Sequence, residues 1–108
     1  MTKFEKTMVN KLGYEWRKIY RACTKIDSEG LGIIGIDDFL KVSEKYGVSI
    51  VLSEQKQLLR LFKVTEDDDL KVDLDTHTYL NYKRLSETLG LHKESFNFLN
   101  NVHSQNKL

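Results

Sequence analysis

The chain has 108 residues, room for one modest hydrophobic core or for one repeat of a larger array. Hydrophobic residues make up 40% and charged residues 31%, an ordinary globular balance rather than a disordered one. Seventeen basic against sixteen acidic side chains leave a formal charge of +1, which argues against bulk electrostatic capture of nucleic acid or of an anionic membrane.

One cysteine excludes an intramolecular disulfide and fits a reducing, cytoplasmic setting. No apolar run approaches the roughly 20 residues that span a bilayer, so no membrane partner is expected. Residues 1–6, MTKFEK, show no apolar core of a leader, so no secretory signal is expected.

Residues 1–13 open the chain with Phe4, Met8 and Leu12 at i, i+4 and i+8, a helical stripe. Gly13 costs about 1 kcal/mol relative to alanine inside a helix and so predicts a bend or break. Beyond it, Trp16, Ile19, Cys23 and Ile26 form a second apolar stripe, with Arg17, Lys18, Arg21 and Lys25 on the other face. Residues 27–35 hold three glycines and read as a loop, with Ile33 and Ile34 a short β-like patch inside it. Phe39, Val42 and Tyr46 return to helical spacing, and Gly47 fits a C-cap.

After an apolar connector at 48–52, Ser53 is the expected N-cap of a helix that buries Leu58, Leu59, Leu61 and Phe62. An acidic stretch then leads into Val72 and Leu74, which alternate with Asp73 and Asp75 as a strand does, over too short a run to stand alone. Tyr79, Tyr82, Leu85 and Leu89 resume the helix, closed by Gly90. Phe96, Leu99 and Val102 predict a last short helix from residue 92 to about 104. The plan of helix, loop with a short strand, and helix thus occurs twice.

The first loop fits a physical template for calcium. Such a loop takes 12 residues, with oxygen ligands at positions 1, 3, 5, 7, 9 and 12 and glycine at 6 for a sharp turn. With Asp27 as position 1, Glu29 falls at 3, Gly32 at 6, the bridging aliphatic Ile34 at 8 and Asp38 at 12. The entering helix puts Ile19, Ala22, Cys23 and Ile26 inside, and the exiting one Phe39, Val42 and Tyr46. Residues 19–39, IYRACTKIDSEGLGIIGIDDF, resemble one helix–loop–helix of the EF-hand family, and with the second half the resemblance covers about residues 14–90. The chain is most similar to the calcium-poor pairs of axonemal multi-EF-hand proteins and of myosin light chains.

The resemblance implies an all-α fold: a paired EF-hand helix–loop–helix, hand 1 at about 14–47 and hand 2 at about 53–90. It also implies a short two-stranded β-bridge between the loops, with additional terminal helices in 1–13 and 91–108. It implies a calcium set of the Asp27, Glu29 and Asp38 carboxylates with the Ile33 carbonyl. Leu31 at position 5 and Gly35 at position 9 bring no side-chain oxygen, and Asp38 is one methylene short of glutamate. Calcium wants six to eight oxygens, so water would fill the rest and affinity falls.

The second loop has no glycine for its turn, and two registers compete. Bridging by Val72 opens the loop at Thr65 and closes it at Thr76. Bridging by Leu74 opens it at Asp67 and closes it at Thr78. Asp67, Asp69 and Asp73 are its acidic candidates, and a solvated acidic loop is the favoured reading of them.

Trp16 and Cys23 fall on core positions. His77, His92 and His103 lack zinc-ligand spacing, and no P-loop, dinucleotide, nucleophile-elbow or zincin motif occurs. No enzyme activity and no organic cofactor are therefore expected, and nucleic acid is not an expected partner. The expected function is that of a non-catalytic interaction module with weak or absent calcium binding. It would dock an amphipathic partner helix or a cytoskeletal assembly, and a ciliary location follows from the resemblance alone. The alternative is a calcium sensor working through the first loop, a reading weakened by the presence of only two methionines, Met1 and Met8.

Overall fold

A computed structural model describes residues 1–91. The helix expected after residue 92, with His92 and His103, lies outside the described residues. The described chain is mainly helical: α1 (Lys3–Leu12), α2 (Trp16–Ile26), β1 (Ile34–Gly35), α3 (Ile36–Lys45), α4 (Leu52–Phe62), a 3-10 turn (Glu66–Asp68), β2 (Tyr79–Leu80) and α5 (Tyr82–Leu89).

Helix α1 starts on a reciprocal cap. The Thr2 hydroxyl accepts from the Glu5 N–H, and the Glu5 carboxylate accepts from the Thr2 N–H. The helix ends where Gly13 donates to the Val9 carbonyl, and a turn over residues 13–15 separates it from α2. A Cβ at Gly13 would stand 2.6 Å from the Val9 oxygen, so the break expected there depends on a residue without one. Helix α4 begins earlier than expected. Val51, not Ser53, is its N-cap, and the Glu54 carboxylate accepts from the Val51 N–H. The cap comes from an acid inside the first turn, so the serine was the wrong signal to follow.

The two strands pair antiparallel, Ile34 with Leu80 and Gly35 with Tyr79. The bridging residue is therefore Leu80, neither Val72 nor Leu74, and Tyr79 belongs to a strand rather than to the next helix. The end of α4 explains the choice. The Val64 N–H donates to the Tyr79 carbonyl, the Asn81 N–H donates to the Phe62 carbonyl, and Lys63 bridges Leu80 on the side away from Ile34. Residues 62–64 thus fix which pair enters the sheet. Helix α5 follows at once, capped by the Asn81 side chain on the Arg84 N–H and closed by Gly90 at φ 65°.

One core joins all five helices. Met8 and Leu12 of α1, Trp16, Ile19 and Cys23 of α2, Phe39 of α3, Leu58 and Phe62 of α4, and Leu85 and Leu89 of α5 pack in it beside Ile34 and Leu80. Burying each large side chain is worth about 1.5–3 kcal/mol. The terminal helix of residues 1–13 thus packs into the same core through Met8 and Leu12.

Two stripe residues depart from expectation. Ile26 is 47% exposed, because it is the last residue of α2, where the chain leaves for the loop. Leu61 is 48% exposed, because Leu58 and Phe62, four apart, take the inner face of α4 and turn their neighbour outward. Trp16 is fully buried and donates from Nε1 to the Ser86 hydroxyl at 2.9 Å, so its one polar atom is satisfied inside the core.

Candidate functional site

The end of α2 places Asp27 at the mouth of the first loop. Its Oδ1 accepts from the Leu31 N–H at 3.0 Å and its Oδ2 from the Gly32 N–H at 2.7 Å. Gly32 turns with φ +82°, a conformation that a side chain strains. The loop is thus wrapped around its own first carboxylate.

The second half closes this wrap. The Tyr82 hydroxyl donates to Asp27 Oδ2 at 2.8 Å, and the Lys83 N–H donates to the Gly32 carbonyl at 3.3 Å. A Cβ on Gly32 would lie 3.2 Å from that of Lys83. An ionised carboxylate offers about four lone-pair sites, and three at Asp27 are taken by the protein. Burial and the hydrogen bond to Asp27 raise the Tyr82 phenol well above its ordinary value, so it stays a donor through the physiological range. Rings relay this contact into the core: Tyr82 meets Tyr20 edge-on at 5.3 Å, Tyr20 meets Trp16 at 6.0 Å, and Trp16 meets Phe39 at 6.3 Å.

The other expected ligands are placed differently. Glu29 and Asp38 lie at the exposed surface, and Ile33 is buried. Asp38 lies in the first turn of α3 with its Oδ2 3.5 Å from where a Gly35 Cβ would stand. Among the described residues, no three histidine, cysteine or acidic side chains gather as a metal group.

The second loop does not collect its acids. Asp67 lies in the 3-10 turn, and Asp69 follows it in the left-handed conformation at φ 53°. Asp68 accepts from the Thr65 N–H and stands 3.6 Å from the Arg84 guanidinium. Asp73 accepts from the Asp75 and Thr76 N–H groups and from the Thr76 hydroxyl. These hydrogen bonds, the Thr76 hydroxyl first, hold its carboxyl below the ordinary aspartate value.

Setting Leu80 at the place that Ile34 holds corrects the register. A twelve-residue frame then opens at Asp73 and closes at Arg84. A guanidinium, engaged with the Leu61 carbonyl at 3.2 Å, stands where the first frame has Asp38. Sequence reading missed Tyr82, Lys83 and Arg84 as the residues that close the two loops. One local signal pointed to them. Asn81 is a good N-cap residue, and the bridging residue immediately precedes the N-cap in both halves, Ile34 before Gly35 and Leu80 before Asn81.

The remaining candidates are quiet. Cys23 is fully buried, and burial, with the nearby Asp27 charge, pushes its thiol up to about 12. His77 is exposed and meets Tyr79 edge-on at 6.1 Å. Arg17, Lys18, Arg21 and Lys25 lie on the exposed side of α2. No family model, no curated protein and no solved structure matches the chain.

Proposed function

We propose that this chain is a divergent EF-hand pair that acts as a non-catalytic, metal-independent protein-interaction module, docking a partner helix or a larger cytoskeletal assembly. The single observation that carries the metal-independent part is the Tyr82 hydroxyl on Asp27. A protein donor from the opposite half occupies the first carboxylate of the loop, which an ion would have to displace. Arg84 at the close of the second frame supports the same reading, since a fixed cation there repels a divalent ion.

The test is a titration of the full chain from chelator into micromolar calcium, read by Trp16 fluorescence and by the thermal midpoint. Both should stay unchanged. A second reading, a calcium sensor, is favoured by the three carboxylates Asp27, Glu29 and Asp38 in one loop. A saturable shift that Asp27→Ala abolishes would establish it and remove the first.

A further inference from the structure

A cavity of about 900 Å³ opens between the first turns of α1, the outer side of α4 and one side of α5. Each helix gives it one face, with Phe4 and Thr7 from α1, Gln57 and Leu61 from α4, and Arg84 and Thr88 from α5. A helix is about 10–12 Å across with a pitch of 5.4 Å, so this volume matches about two turns. Phe4 and Phe62 supply its apolar side, together with Leu61, which the core leaves half exposed. An exposed leucine between two phenylalanines is a place for another apolar side chain.

The charges along the cavity are not balanced. One of its two acids is neutralised inside the chain, and the other is held at a helix cap. Glu5 caps α1 through the Thr2 N–H, and Glu54 takes the Lys11 ammonium at 2.7 Å and the Val51 N–H. Of its three cations, Arg84 stands 3.6 Å from Asp68, whereas Lys3 and Arg60 are exposed and have no ion pair among the described residues.

We propose that this groove takes an acidic amphipathic helix of a partner protein, whose apolar stripe meets Leu61 and Phe4 and whose flanking carboxylates meet Lys3 and Arg60. The proposal rests on the interaction-module reading and names its surface and the chemistry of its partner. It also gives Leu61 a role that the fold itself does not.

The experiment is fluorescence anisotropy on the full chain in chelator, with two labelled peptides of about 14 residues. Both carry leucine and phenylalanine at i, i+3, i+4 and i+7, one flanked by glutamate and the other by lysine. The acidic peptide should bind about tenfold or more tighter, and the difference should shrink between about 50 and about 500 mM salt. Arg60→Glu, at an exposed site where folding is unaffected, should abolish or reverse the preference. Leu61→Asp should remove binding of both peptides. Equal binding of the two peptides, or a preference untouched by Arg60→Glu, overturns the proposal. So does failure of both to bind. Binding of the acidic peptide only with calcium overturns the metal-independent reading instead. Absence of binding in either buffer, with a silent calcium titration, removes the groove alone.

Discussion

Residues 27–33 and residues 63–78 do the same topological task, carrying the chain from the end of a helix to one strand of a shared two-stranded sheet. The first passage is short and is organised by one carboxylate, whose partners come from its own loop and from the other half of the molecule. The second is more than twice as long. Its ends are clamped by the Val64 and Tyr79 backbones, and its carboxylates serve mainly local turns. Lengthening a clamped loop costs only about 0.6 kcal/mol per doubling, so the second passage can be long and acidic without loosening the sheet. The difference teaches that pairing of the halves depends on the strand and on Asp27, whereas the interior of the second loop is free to vary.

Mutations at these positions would break or sharpen that contrast. The largest effect belongs to Leu80→Ala, which empties a fully buried bridging position and should cost about 2–5 kcal/mol in urea unfolding. Val72→Ala should cost far less, and an equal loss at both sites would mean that the long loop takes part in the core after all. Tyr82→Phe removes a donor to a charged acceptor and should cost about 1.5–3 kcal/mol, while leaving helicity by circular dichroism unchanged. Gly32→Ala strains a left-handed residue against Lys83 and should cost about 1–2 kcal/mol by thermal denaturation.

The smallest effect is expected at Asp73, in the long loop. Its folded carboxyl is held below its ordinary value of 3.8, so what it contributes is present above that pH and fades as pH falls through the folded value. Asp73→Asn should therefore lower the thermal midpoint only slightly at pH 7, since the group is exposed, and not at all once the pH is below the folded value. A large drop confined to neutral pH would place that turn in the framework of the fold.

Much of this was legible in the residues. Periodicity located the helices, Gly13 located the bend, and the glycines after Asp27 located the first loop with Ile34 as its bridging residue. The strand of the second half was not legible, because Val72 and Leu74 alternate as a strand should, while Tyr79 fits a helical stripe with Tyr82, Leu85 and Leu89. The real strand is chosen by hydrogen bonds to residues 62–64 and to Ile34, which no local pattern records. The contact between Tyr82 and Asp27 spans 55 residues and joins a side chain read as core to one read as ligand. Leu61 looked buried because four apolar residues in five overfill one helical face, and only packing decides which is left out.

Burial of Cys23 has a practical consequence. Its sulfur touches no solvent, and at neutral pH almost none of it is the reactive thiolate. An alkylating reagent can capture it only in molecules that have momentarily opened the core around α2. The pace of capture therefore clocks how often the interior comes apart, without any added dye or engineered label.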